Sequence, residues 1–410
     1  MVADALAKLL GGARIEHLTR LSGGASRETW AFEADGRPLI LRRDPEGRPG
    51  LPGSMRLEAD AMRACGRHGL RVPEVLADDG GGVLGTAGLI MSRVPGETLA
   101  RRILRDDEYA KAREVLAAQL GEFLGGLHAI DPAELPNAME TDTLATYWER
   151  YLAMDDASPT FEQAYAWLDA NRPSSTERVI VHGDLRMGNV IVDEHGLAAA
   201  IDWELVHLGD PLEDLGWLCV KAWRFGAPLP VGGVGTIDQL VDAYEAASGR
   251  TVDRDALHWW LVMNTLKWGI GCMGQASVHL TGQVRSVELA AIGRRVCEQE
   301  WDLIELLAPD EWAAARASVP DDDLPDTPGM HGRPTARELL EAVREFLTND
   351  VMPATEGRVQ FHARVAANVV AIVERELAQP PREWGGTDWA SLAATVRDRL
   401  AVANPKHLTR

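Results

Sequence analysis

Cysteine is scarce in this chain, with four among 410 residues. Cys65, Cys219, Cys272 and Cys297 are scattered and form no C-x-x-C pair. That spacing favours free thiols in a reducing compartment over a zinc site or a disulfide framework. No run of 18 apolar residues occurs, so no membrane-spanning helix is expected and a membrane is not a partner. Met1 is followed by Val2-Ala3-Asp4-Ala5, without the basic stretch and apolar core of a secretory signal, so a cytoplasmic protein is expected. Positive charge is short as well. There are 42 Lys+Arg against 62 Asp+Glu, a net charge of −20 and a pI of about 5.0. Such a surface repels a phosphate backbone, which argues against nucleic acid as a partner. It does not exclude a nucleotide, because a bound metal and a few placed cations dominate a pocket locally.

What is present is an ordinary globular composition, 46% hydrophobic and 25% charged, long enough for two or three domains. Residues 1–10 read as a short amphipathic helix stopped by Gly11-Gly12. Residues 29–33 and 38–43 read as strands joined at Asp35-Gly36, a hairpin turn signal. A helix follows over 55–68, then a second hairpin with strands at 83–84 and 89–91. Beyond Asp106 helices dominate, with Leu116, Leu120, Leu124 and Leu127 at helical spacing. A patch of short strands, 179–181, 190–192 and 199–201, interrupts them, and helical patterns resume over 236–307.

Residues 318–334 hold four prolines and four aspartates, a linker composition. After it, 335–378 and 388–402 read as helices. Residues 327–410 contain 11 Lys+Arg and 10 Asp+Glu, leaving 31 and 52 in residues 1–326. A body of charge −21 and a tail of +1 suggest separate units. The expected division is an N-terminal lobe at 12–95, a second lobe at 96–317, the linker, and a helical accessory domain at 335–410. The tail would take up a protein partner or a second copy of the chain.

The informative segment is His182-Gly183-Asp184-Leu185-Arg186-Met187-Gly188-Asn189, followed by Ile201-Asp202-Trp203-Glu204. An Asp, an Asn five residues on, and an Asp beyond a hairpin form a phosphoryl-transfer arrangement. A carboxylate must orient the attacking hydroxyl and take its proton, and Asp184 is the candidate. Magnesium wants hard oxygen ligands, which Asn189 and Asp202 supply. His182 buttresses the loop. Arg186 either packs the loop through a salt bridge or contacts an anionic substrate or the γ-phosphate.

Upstream, Ser22-Gly23-Gly24-Ala25-Ser26 precedes the first predicted strand. Its small residues let backbone N–H groups approach phosphates, so Ser22, Gly23, Gly24 and Ser26 are candidate nucleotide contacts. A cation on the returning strand should meet the phosphates, and Arg42 or Arg43 must supply it. Alternation puts them on opposite faces, and Arg42, directly after the Leu39-Ile40-Leu41 run, is preferred. Glu58 is its natural ion-pair partner. Lys267, Trp260, Asn264 and Trp268 form a helical stripe that reads as core or as a substrate wall. His362, Arg364 and Asn368 read as a polar core network or an interface.

These motifs, together with Leu208-Gly209-Asp210-Pro211-Leu212-Glu213-Asp214-Leu215, resemble aminoglycoside phosphotransferase/choline kinase-like enzymes over about residues 12–305. Arg186, Trp203-Glu204, Leu41-Arg42-Arg43 and Leu266-Lys267-Trp268 are most similar to the kinase domain fused to certain acyl-CoA dehydrogenases. The tail resembles a small helical domain of unknown function. The resemblance implies an α+β, two-lobed protein-kinase-like fold with a C-terminal helical domain. It implies ATP and Mg2+ as cofactors, a hinge near Met91, and an Asp214 that steadies the loop without touching substrate. The expected activity is phosphorylation of a hydroxyl on a small molecule, with a hydroxyacyl-CoA as one candidate. An aminoglycoside-type antibiotic kinase and a non-catalytic nucleotide-binding scaffold are the alternatives. A protein kinase fits poorly: Gly209-Asp210-Pro211 follows Asp202 too closely for an activation loop, and no Ala-Pro-Glu segment comes after.

Overall fold

The computed structural model describes residues 2–21, 27–47, 50–154, 156–174, 177–318, 333–379 and 384–409. The chain divides into two compact units, 1–142 with 173–261, and 143–172 with 262–410. The helix Arg254–Leu280 contributes residues to both. Most of the expected linker at 318–334 lies outside the described residues, as do Ser22, Gly23, Gly24 and Ser26.

The first unit opens with a helix, Val2–Leu9, and a five-stranded antiparallel sheet. Its strands are β1 (Ile15–Arg20), β2 (Glu28–Ala34), β3 (Arg37–Arg43), β4 (Val75–Gly80) and β5 (Ala87–Ser92), in the order β1-β2-β3-β5-β4. The expected hairpin forms, with Glu28 opposite Arg43 and Ala34 opposite Arg37. Its turn takes Asp35 to φ 50° and Gly36 to φ 79°, the paired positive φ of a type I′ turn. Leu6, Phe32, Leu39, Leu41 and Ile90 form the core of this lobe. Burying side chains of that size contributes roughly 1.5–3 kcal/mol each.

The second hairpin differs from expectation. Residues 83–84 are turn, and the partner of β5 is β4 at 75–80. Asp79 is the cause. Its carboxylate accepts the N–H groups of Gly82, Val83 and Leu84 at 3.0, 2.9 and 2.7 Å, which curls that stretch out of the ladder while Leu84 fills the core. β1 carries no clean apolar alternation and was not anticipated.

The helix Ala110–His128 buries Leu116, Leu120, Leu124 and Leu127 completely. It packs on Ile237–Ser248 at Gly121 and Gly125, where a Cβ would lie 2.3 Å from the Leu240 carbonyl oxygen and 2.6 Å from the Ala247 Cβ. Four short strands form two small hairpin-like sheets, β6 (Val179–Val181) with β9 (His207–Gly209), and β7 (Val190–Asp193) with β8 (Gly196–Ala200).

The second unit is helical in its described residues. Cys297, Trp301 and Ile304 share one core with Leu392, Val396 and Leu400 of the last long helix, Trp389–Ala403. Polar ties reinforce that core: His407 Nε2 meets Asp302 Oδ1 at 2.9 Å, and Asn404 Nδ2 donates to Glu298 Oε1 at 3.0 Å. Lys267 is buried with its ammonium 5.6 Å from the centre of the Tyr147 ring, and Asn264 is fully buried. Those contacts are the core reading of that stripe. Arg364 and Asn368 are exposed, which removes the polar-core reading of the tail trio. The helix Ala336–Phe346 leaves Leu339, Val343 and Phe346 about half exposed. All four cysteines are buried free thiols. Among the described residues no helix is long and apolar enough to cross a membrane.

Candidate active site

The loop between β6 and β7 lies wholly in the first unit, and its path is set by Asp214. This residue sits in the first turn of the helix Leu212–Cys219, fully buried. Its Oδ2 accepts the His182 N–H at 2.8 Å and its Oδ1 the Gly183 N–H at 2.9 Å. His128 Nε2 lies 3.3 Å from Oδ2, and His128 Nδ1 is 3.1 Å from the Tyr244 hydroxyl. Burial alone would raise the Asp214 carboxyl. The hydrogen bond and charge of His128, with His182 and the Gly183 N–H, outweigh it and hold the carboxyl below the usual range. Gly183 must be glycine here: φ is 80°, and a Cβ would lie 2.5 Å from the Leu205 carbonyl oxygen.

His182 is fully buried, and burial lowers its pKa, so the ring is neutral. Its Nδ1 accepts the Asp184 N–H at 3.2 Å, which leaves the ring proton on Nε2 to donate to the Ile201 carbonyl at 3.2 Å. Trp203 packs beside it with its ring tilted by 43°, ring centroids 4.3 Å apart. A neutral ring with both nitrogens engaged is a buttress.

Asp184 is the hub. Its Oδ1 accepts from Arg186 Nε at 3.1 Å and from Trp217 Nε1 at 3.0 Å. Its Oδ2 accepts from Asn189 Nδ2 at 2.5 Å, and Nδ2 also reaches the Asp184 carbonyl at 2.9 Å. The Asn189 amide nitrogen therefore faces Asp184, and its carbonyl oxygen is the acceptor that remains. Arg186 lies over Trp223, 4.4 Å from the ring centre, so the salt-bridge reading of Arg186 is realised.

Asp202 occupies the left-handed region, φ 69°, uncommon for a residue with a side chain and frequent at functional sites. Arg42 Nη2 meets its Oδ1 at 2.6 Å, and Arg42 Nη1 meets Glu58 Oε2 at 3.3 Å. Burial would raise the Asp202 carboxyl, but the charge and hydrogen bond of Arg42 hold it below the usual range. Arg43 points the other way, to Glu28 at 2.9 Å and over Trp30. Arg42, not Arg43, is thus the strand cation beside the site, and Glu58 is its partner. Glu58 also pairs with Arg27, which was not anticipated. Burial and the neighbouring Arg42 lower the Arg27 pKa, against the pull of Glu204, Asp44 and Asp202. Met91 is buried in β5 opposite Ile40.

The donor chemistry fits a hard divalent cation. The Asn189 carbonyl and the Asp202 carboxylate offer hard oxygen donors of the kind such an ion takes. Among the described residues no three His, Cys, Asp or Glu side chains converge on a metal site. Magnesium, which keeps most of its waters and takes one or two carboxylates plus substrate phosphates, suits so sparse a set.

A family model described as the phosphotransferase enzyme family matches residues 17–260, and one for a domain of unknown function matches 353–384. Acyl-CoA dehydrogenase family member 10 of Mus musculus is 25% identical over 73% of this chain and 31% of its own length. Acyl-CoA dehydrogenase family member 11 of Gallus gallus is 24% identical over 84% of this chain and 46% of its own. The chain thus spans a third to a half of these curated relatives. Viomycin phosphotransferase of Streptomyces vinaceus is 33% identical over 44% of this chain and 65% of its own. Among solved structures, macrolide 2'-phosphotransferase from Brachybacterium faecium shares the fold at TM-score 0.51 and 18% identity, covering 75% of this chain and 98% of its own.

Proposed function

Because the chain belongs to the phosphotransferase enzyme family, we propose that it phosphorylates a hydroxyl of a small molecule from ATP with magnesium. The carrying observation is the Asp184 carboxylate, held by donors from Arg186, Asn189 and Trp217 beside the oxygen ligands Asn189 and Asp202. Asp184 orients the acceptor hydroxyl and takes its proton. The hydroxyl oxygen attacks the γ-phosphorus, and the bond to the β–γ bridging oxygen breaks to release ADP. Asn189 and Asp202 would hold the metal, which supplies charge neutralisation on the phosphates when bound. Arg42, drawn between Glu58 and Asp202, would turn to the phosphates. Positioning and electrostatics carry the rate.

A hydroxyacyl-CoA is the acceptor we favour. The similarity to acyl-CoA dehydrogenase family members supports it, as does Arg186 stacked next to the base, where a polycation would be repelled. The second reading is an antibiotic kinase, supported by the likeness to viomycin phosphotransferase and by a body of charge −21. An ADP-release assay with Mg2+ and a panel of hydroxyacyl-CoAs, viomycin and aminoglycosides decides. Turnover of a hydroxyacyl-CoA supports the first reading. Turnover confined to the antibiotics overturns it.

A further inference from the structure

We infer that Trp217 is a positioning residue for the catalytic base, anchoring one oxygen of Asp184 so that the other receives the acceptor's proton. The inference rests on the proposal that Asp184 is that base. Trp217 Nε1 and Arg186 Nε both donate to Oδ1, at 3.0 and 3.1 Å. A carboxylate oxygen offers two in-plane lone-pair sites, so two donors saturate it. Among the bonds described, Oδ2 meets only Asn189 Nδ2, at 2.5 Å.

The indole is held rigidly. Trp217 is buried, and its ring lies 5.2 Å from that of Trp223. Trp223 in turn carries Arg186 on its face at 4.4 Å. The two donors to Oδ1 are therefore braced by one another through a shared aromatic, and neither can swing away without losing its contact with that ring.

Helix geometry adds a second consequence. Asp214 and Trp217 are three residues apart on the helix Leu212–Cys219, so they share a face. Asp214 fixes the loop's backbone at His182 and Gly183, while Trp217 fixes the side chain of Asp184. One short helix thus sets both the path of the loop and the orientation of its carboxylate. In the reaction the acceptor O–H bond breaks, an Oδ2–H bond forms, and the freed oxygen pair attacks the γ-phosphorus as ADP leaves. The anchored oxygen keeps its two donors throughout.

The test is a double-mutant cycle on the full chain, read as ADP formation from MgATP with water as acceptor, alongside indole N–H nuclear magnetic resonance. Trp217→Phe removes the N–H and keeps an aromatic ring. It should lower kcat about tenfold, the worth of one hydrogen bond to a charged group, with KM for MgATP unchanged. Trp217→Phe placed on Asp184→Asn should cost nothing further, because Trp217 acts through Asp184. In Asp184→Ala one indole resonance should move upfield. An unchanged kcat in Trp217→Phe, or an additive double mutant, overturns the inference. So does an indole spectrum that Asp184→Ala leaves unmoved, and this reading needs no change at position 217. If Asp184→Asn itself keeps full activity, the reading of Asp184 as base fails instead, and the resonance still reports whether the bond exists.

Discussion

Asp214→Asn is the sharpest perturbation of the loop. The native carboxylate accepts two backbone N–H groups, at 2.8 and 2.9 Å, and lies 3.3 Å from His128 Nε2, all in a fully buried site. Asparagine keeps one acceptor oxygen and turns an NH2 group toward the other donor. One N–H is then stranded, at roughly 1–3 kcal/mol, and the charge opposite His128 is lost. Together the cost is about 3 kcal/mol, in line with removing one partner of a buried pair. With a urea slope of about 1–3 kcal/mol/M, the unfolding midpoint should fall by about 1 M or more. Intrinsic tryptophan fluorescence reports it, since Trp203 and Trp217 are buried in this unit. The pH dependence gives a second handle. A carboxyl held below its ordinary value contributes stability that is full above the unfolded pKa, about 3.9, and is lost as pH falls through the folded value. The gap between wild type and Asp214→Asn should therefore narrow below about pH 4. A midpoint matching wild type at pH 7 would refute this account of the loop.

Three further outcomes are expected. Glu58→Gln leaves Arg27 and Arg42 short of their counter-charge in a buried site, so calorimetry should find AMP-PNP binding with Mg2+ weakened about tenfold or more, and the urea midpoint lower. Gly121→Ala drives a Cβ to 2.3 Å from the Leu240 carbonyl oxygen, and thermal unfolding should report a loss of about 1–3 kcal/mol. His182 is held neutral by burial, so the unfolded chain binds its proton first. The wild-type midpoint should fall as pH drops below about 6.5, and His182→Gln should lack that limb.

The proposed base and metal-holding residues stood out in the sequence because their signal is local. Polar Asp184, Asn189 and Asp202 stand out between apolar strands, and their spacing is that of a phosphoryl-transfer loop. Strand alternation reduced the cation to Arg42 or Arg43, and the ion pairs to Glu58 and Asp202 chose the first. Trp217 was not legible. A tryptophan within an apolar helix reads as core, and its hydrogen-bond partner lies 33 residues away in sequence. The spacing from Asp214 was the one available signal. Arg27 gave no signal, because the Glu58 that holds it lies 31 residues away in sequence. β1 escaped because an edge strand with polar residues on both faces lacks the period-two pattern. The second hairpin slipped because Asp79 captures three turn amides, which no hydrophobic pattern encodes.

The proposed chemistry rests on Asp184 as the base of a magnesium-dependent phosphotransferase. The direct measurement is the rate of ADP formation by Asp184→Asn, with the best acceptor of the panel, beside its affinity for magnesium-bound AMP-PNP. The expected kcat is about 10²–10⁴ lower, with nucleotide affinity retained. A variant that phosphorylates at the wild-type rate would contradict it.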